Sequence, residues 1–202
     1  MKTKLFLALL TFALIFSCKS DDDGGGGFDG SLRSIEDFYS PEILDALEDL
    51  GFLINTGNTP PNLEGAYLFS PLKLLSSTVS GDTPGKTFAN YMASFKNQNN
   101  SELTIDYNGN HIGASQVDEG NGAFISGSNN EFSMFLKTTT QISNSVPAES
   151  TIAISGKMTE NGIEDAQMVL MMLDNKGNPD GVYIPDNTGR LLYDSNNFSE
   201  KQ

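Results

Sequence analysis

"STIAISGKMTENGIEDAQMVLMML", residues 150–173, decides the fold. Two runs of aliphatic residues flank Glu160-Asn161-Gly162, so the stretch reads as an antiparallel hairpin. Its second arm is apolar on both faces. Met168, Leu170 and Met172 point one way; Val169, Met171 and Leu173 point the other. A strand apolar on both faces is covered on both faces. One side then meets the interior of a sheet structure, and something else must cover the other. The obvious cover is "SPEILDALEDLG", residues 40–51. Ser40 can cap a helix there, and Pro41 suits its first position. Glu42 and Asp45 lie near the positive end of such a helix. Ile43, Leu44, Leu47 and Leu50 share one face at helical spacing, and Gly51 can end it with a positive φ. The expectation is that helix 41–50 lies over Val169 and Met171.

Around this hairpin the chain reads as strands and turns. "NTGNTPPN", residues 55–62, is a breaker-rich link. Gly65 to Phe69 forms a short strand stopped by Pro71, and residues 72–79 are a second extended piece. "TFANYMASF", residues 87–95, fits a helix face through Phe88, Tyr91, Met92 and Phe95, yet Tyr91, Ala93 and Phe95 also alternate. It is read as a strand. In "ELTIDYNGNHIGASQV" Leu103, Ile105 and Tyr107 alternate with Thr104 and Asp106, and Asn108-Gly109 is expected to make a type I′ hairpin turn. "GAFISG" and "EFSMFLKTTTQI" follow, joined at Ser128-Asn129-Asn130. "GVYI" and "GRLLYD" close the chain after a turn at Asn178 to Gly181. Roughly eight to ten strands with short connections favour an antiparallel up-and-down barrel with one short N-terminal helix. A β-sandwich is the alternative.

The N-terminus carries a different message. Lys2 and Lys4 precede an apolar run, Leu5 to Phe16, broken only by Thr11. Crossing a bilayer takes roughly 20 apolar residues, and a charged start with a shorter run is the pattern of a secretory signal. The run ends Ile15-Phe16-Ser17-Cys18, which resembles the bacterial lipobox; Cys18 is the only cysteine in the chain. The resemblance implies cleavage before Cys18, with diacylglycerol on its sulfur and an acyl chain on its amine. Each buried acyl CH₂ contributes about 0.8 kcal/mol, so several chains anchor far more firmly than one. Lys19-Ser20-Asp21-Asp22-Asp23 resembles the lipoprotein export signal of Bacteroidota, which implies display on the outer face of the outer membrane, with the periplasmic face as the alternative. Gly24 to Gly27 then read as a flexible tether. The expected organisation is a signal peptide over 1–17, a lipidated acidic and Gly-rich tether over 18–34, a helix and linker over 35–59, and a β domain over 60–202.

Composition narrows the chemistry. The formal charge is −14, the opposite of the basic footprint that nucleic acid demands, and it also disfavours lying flat on anionic lipid. His111 is the only histidine. It is expected as an exposed residue after the Asn108-Gly109 turn, with no Gly-x-Ser-x-Gly anywhere to make it a catalytic base. A lone histidine and one cysteine do not make a structural zinc site. "GDTPGKT", residues 81–87, has three residues between its glycines where a phosphate loop needs four, so it reads as a turn. "DNKGNPDG", residues 174–181, places Lys176 and Pro179 where a calcium loop wants an acid and a glycine. Only incidental Ca²⁺ at Asp174, Asp180 or Asp186 is conceivable. Asp118 and Glu119 read as a solvated pair. No catalytic residue, metal site or cofactor is expected, and the chain is read as non-enzymatic.

"PPNLEGAYL", "GAFISGSNNEFSMFL" and "GKMTENGIEDAQMVLMMLDNKGNPDGVYIPDNTGRLLYD" together resemble Bacteroidota surface lipoproteins with a lipocalin-like (calycin) barrel, over about residues 60–194. Lipocalins carry Gly-x-Trp on the first strand with a C-terminal arginine packed across the tryptophan. Gly65-Ala66-Tyr67 matches with tyrosine in place of tryptophan, and Arg190 is the implied arginine stacking on Tyr67. That role is structural, closing one end of the barrel. Two function classes stay open. In one, the barrel holds a small apolar ligand; in the other, the interior is packed and the surface docks a protein or polysaccharide partner.

Overall fold

The computed structural model describes residues 27–202. Cys18, the Lys19–Asp23 segment and Gly24 to Gly26 lie outside the described residues. Two helices, α1 (Leu32–Tyr39) and α2 (Pro41–Leu50), precede ten strands. These are β1 (Gly65–Phe69), β2 (Leu72–Ser77), β3 (Tyr91–Asn99), β4 (Thr104–His111), β5 (Gln116–Ser128), β6 (Glu131–Ile142), β7 (Ala148–Met158), β8 (Gly162–Asp174), β9 (Gly189–Asp194) and β10 (Phe198–Lys201). All ten belong to one antiparallel sheet, in the order β10-β1-β3-β4-β5-β6-β7-β8-β9-β2. β10 pairs with β8 as well as with β1, so the sheet closes on itself into a ring. β1 and β2 form one path interrupted at Pro71, and β9 and β10 form a second path interrupted at residues 195–197. The broken paths run side by side, Tyr67 opposite Lys201 and Ser77 opposite Arg190.

The closing strand β10 is polar, "FSEK", and carries no apolar alternation to announce it. "GVYI" runs the other way: no strand forms there. The side chain of Asn178 takes both backbone groups of Tyr183, accepting from its N–H at 3.1 Å and donating to its carbonyl at 3.0 Å. A side chain thus supplies the bonds a neighbouring strand would have made.

The expected turn at Asn108-Gly109 is absent. Both residues lie inside β4, paired with Ser94 and Ala93 of β3 on one side and with Glu119 and Asp118 of β5 on the other. The turn comes later, at Gly113, whose φ is +78°. Gly109 is required for space: a Cβ there would collide with the hydroxyls of both Tyr91 and Tyr107.

Two apolar clusters form on the two faces of the sheet. Inside the ring, Tyr67, Phe69, Leu74, Phe95, Ile125, Met134, Ile154, Met168 and Leu192 are buried together. Outside, Val169, Met171, Leu191, Phe135 and Ala153 are covered by Leu44, Leu47 and Leu50 of α2 and by Ile35 and Tyr39 of α1. The helix therefore lies where the two-faced apolar arm of β8 demanded it.

α1 was not expected; its residues fall across the boundary of the segment read as tether. Ser31 caps it by accepting from the Ser34 N–H at 3.2 Å, and Ile35 and Tyr39 fall one turn apart on its buried face. The packing on the outer face also takes in Phe28, which stacks on Phe124 with ring centroids 4.6 Å apart. The Tyr39 hydroxyl reaches into the β6–β7 ladder. It accepts from the Leu136 N–H and donates to the Ile152 carbonyl, each at 2.9 Å.

Candidate functional site

The inner face changes character along the strands. In β6 the inward series runs Phe132, Met134, Leu136, and then Thr138 and Thr140. In β7 it runs Ile154, Ile152, and then Ser150. The apolar filling gives way to hydroxyls at one end of the ring, the end carrying the β4–β5, β6–β7 and β8–β9 loops.

Asp118 sits at that end. It faces Gly109 of β4 on one side and Thr140 of β6 on the other, and it is fully buried. The expected solvated acid pair is thereby corrected for Asp118: a register shift in β5 between Glu119 and Phe124 turns it inward. Thr140 Oγ1 donates to Asp118 Oδ1 at 2.9 Å, and Tyr91 Oη donates to Oδ2 at 3.1 Å. Gln116 Nε2 donates to both oxygens, at 3.1 and 3.0 Å. Two further hydroxyls extend the network: Tyr107 to Tyr91 at 2.7 Å and Ser150 to Thr140 at 2.6 Å. Among the described residues no lysine or arginine pairs with Asp118. Burial, reinforced by the neighbouring Tyr107 and Asp118, pushes the Tyr91 phenol well above its ordinary range. Burial does the same for Tyr107. Both phenols stay protonated, which suits them to donate.

Above this network lies a cleft of about 90 Å³, lined by Gln116, Thr140 and Ser150 on its polar side and by Ile142, Leu170, Met172 and Ile184 among its apolar walls. One water needs roughly 10–15 Å³ on this measure, so the space holds several waters or a ligand of a few heavy atoms. Typical small-molecule pockets run to roughly 300–1,000 Å³. Tyr183 completes the wall, its hydroxyl donating to the Val146 carbonyl at 2.7 Å.

His111 is corrected too. It belongs to β4 and is 8% exposed, with its ring edge-on to Tyr91, centroids 4.9 Å apart. Its Nδ1 donates to the Ala89 carbonyl at 3.0 Å.

The stacking of Arg190 on Tyr67 is corrected as well. The two residues lie at opposite ends of the paired broken strands: Tyr67 stands opposite Lys201 of β10, whereas Arg190 stands opposite Ser77 at the far end of β2. Arg190 lies over Phe88, 5.4 Å from the ring centroid, and binds Asp82 through Nε at 2.6 Å. That guanidinium, with help from Lys86 and Ser77, holds the Asp82 carboxyl far below the usual range. Lys201 takes the place over Tyr67, its Nζ 5.8 Å from the ring centroid. Gly65 leaves room for the Lys201 stem to cross the strand.

The acids of the 174–186 loop hold the loop together and tie it to the start of β7. Asp174 and Glu149 bind Lys176, Asp180 accepts from the Val146 N–H, and Asp186 accepts from the Asn175 N–H. Among the described residues no three His, Cys, Asp or Glu side chains gather as a metal site requires, and no helix is long and apolar enough to cross a membrane. No protein-family model, curated protein or solved structure matches the chain.

The inward acid was missed because Asp118 borders a glycine-rich stretch, "DEGNG", that reads as a loop. The signal that could have found the polar end was the continuation of the period-2 pattern: Leu136, Thr138, Thr140 and Ile152, Ser150 stay on the inward face after the apolar residues stop.

Proposed function

We propose that the chain is a lipid-anchored protein of the bacterial outer membrane, displayed at the cell surface. In this reading its closed sheet is a lipocalin-like barrel, and it works without catalysis by binding a small group at the polar end. The observation that carries the binding reading is the contrast between the ends and the middle of the ring. Side chains fill the interior, while the polar end holds a cleft of about 90 Å³ over a buried acid. A cleft of that size argues against an enclosed lipid-sized ligand. The anchor rests on the lipobox-like Ile15 to Cys18 and on the acidic run Asp21 to Asp23. The barrel reading is supported by consecutive antiparallel strands that make about eight staves around the ring once the two broken paths are each taken as one.

Docking of a larger partner at the same end is favoured by one further observation. Ile112, Val146 and Val182 stand exposed on three loops of that end, where aliphatic side chains would suit a protein surface. Cell fractionation tests the anchor. Wild-type protein is expected with the membranes and Cys18→Ser in the soluble fraction; a Cys18→Ser product that still sediments with the envelope refutes the lipid anchor. Protease treatment of intact cells tests display, and digestion only after lysis would refute it.

A further inference from the structure

The hydrogen-bond network at the polar end has a direction, and the direction selects a ligand chemistry. Asp118 is buried, and each of the contacts holding it comes from a side-chain donor. An ionised carboxylate only accepts. Thr140 has one hydroxyl proton, and it goes to Asp118; the 2.6 Å contact between Thr140 and Ser150 then takes its proton from Ser150. Ser150 is left presenting lone pairs. Gln116 turns its amide nitrogen to both carboxylate oxygens, so its carbonyl oxygen points elsewhere, with no partner among the described residues. Thr140, Ser150 and Gln116 are three polar residues lining the cleft. The network over the carboxylate has thus used up the hydroxyl protons of Thr140 and Ser150 and one N–H of Gln116.

We propose that this cleft selects a small primary ammonium group on a short alkyl chain; the proposal rests on the polar end being the binding site, and deepens that reading by naming the ligand class. The acceptor wall takes the N–H donors, and the apolar side formed by Ile142, Leu170, Met172 and Ile184 takes the methylenes. The cation also brings the positive partner that no described lysine or arginine gives Asp118. Arg190 lines the cleft too, but its guanidinium is already bound by Asp82 at 2.6 and 3.4 Å, so it does not neutralise Asp118. The net charge of −14 draws cations toward the protein. Two sources share this chemistry: a free alkylamine, or the tip of a lysine side chain on a partner.

The test is an NMR titration of the full-length Cys18→Ser protein with n-butylammonium, using 1-butanol and butyrate as controls of equal chain length. The ammonium is expected to shift the Gln116 side-chain amide and the Thr140 and Ser150 signals to saturation, at least tenfold tighter than either control. Asp118→Asn introduces an N–H₂ donor that turns part of the network round, and should erase that preference. Ser150→Ala removes an acceptor without touching the buried acid. It should weaken ammonium binding several-fold even if Asp118→Asn fails to fold. A capped lysine amide that saturates the same signals as tightly supports a partner lysine, and saturation by butylammonium alone supports a free amine. Equal binding of butanol, or an ammonium affinity unchanged in Ser150→Ala, overturns the ammonium selection while leaving the end cleft a binding site. Silence of every signal at this end to all the probes overturns both readings.

Discussion

Tyr39→Phe removes a single oxygen from the place where the helices meet the sheet. That hydroxyl bridges the Leu136 N–H and the Ile152 carbonyl, which belong to residues directly opposite each other in β6 and β7. Tyr39 is 1% exposed, so water cannot simply replace the lost group. An orphaned buried donor or acceptor costs about 1–3 kcal/mol. Two are orphaned here, giving roughly 2–6 kcal/mol if nothing moves. Partial closure of the strands onto each other recovers some of that, so the expected loss is about 2–4 kcal/mol. Each kcal/mol lowers Tm by about 2–4 °C for a domain of this size, which places the drop at roughly 5–15 °C. Urea denaturation of the Cys18→Ser protein with and without Tyr39→Phe measures the loss, and amide exchange locates it. Exchange at Leu136 should accelerate in the variant more than exchange elsewhere in β6. A loss below about 0.5 kcal/mol, a size typical of neutral surface changes, together with unchanged exchange at Leu136, would refute the bridge.

Val169→Asp places a carboxyl among Leu44, Leu47 and Leu191, forfeiting about 1.5–3 kcal/mol of side-chain burial and adding an unpaired acid. It is expected to unfold or self-associate by circular dichroism and sedimentation; a monomeric native spectrum would rule out helix packing at that site. Gly109→Ala drives a methyl into the Tyr91 and Tyr107 hydroxyls and should cost about 1–3 kcal/mol, as overpacking does, with wild-type stability counting against that close approach. Burial raises the phenols of Tyr39, Tyr67, Tyr91 and Tyr107 above their ordinary value. Their folded-state pKa values exceed the unfolded one, so this contribution to stability is whole below pH about 10 and drains away as pH rises past it. An alkaline titration followed by phenolate absorbance should show these four ionising together with unfolding. Smooth ionisation of all four near pH 10 in a protein that stays folded would contradict their burial.

Local pattern carried much of the fold, and its failures share a physical origin. The β8 arm announced its double burial through six aliphatic side chains, and Gly51 announced the end of α2 with the φ of +87° that it adopts. What failed was anything settled by distant partners. Asn108-Gly109 looked like a turn because glycine is read by its torsional freedom, whereas Gly109 is there to clear space for hydroxyls from two strands. Strand β10 is polar and is held by two neighbours brought from far away in sequence. Arg190 was assigned to Tyr67 by resemblance, but strand register sends the two to opposite ends. The polar end itself could be read only by following the alternation of β6 and β7 past their last aliphatic residue.

Three buried acids show why the polar end stands apart from ordinary architecture. Asp82 is 4% exposed at its side chain and meets Arg190, so its charge is paired. Asp194 accepts from the Ser70 N–H at 2.7 Å and from Ser199 Oγ at 3.0 Å. It binds the break between β1 and β2 to the break between β9 and β10, and its place follows from the chain path. Asp118 has neither explanation. Its donors are side chains, and the strands around it are already paired by their own backbone. A buried carboxyl group without a cationic partner is costly, and apolar residues of similar volume often serve stability better. Strand register alone would be served as well by a leucine at 118. On the proposed reading, the residues spent on Asp118, from Gly109 through Tyr91 to Thr140, serve binding at that end of the ring rather than its closure.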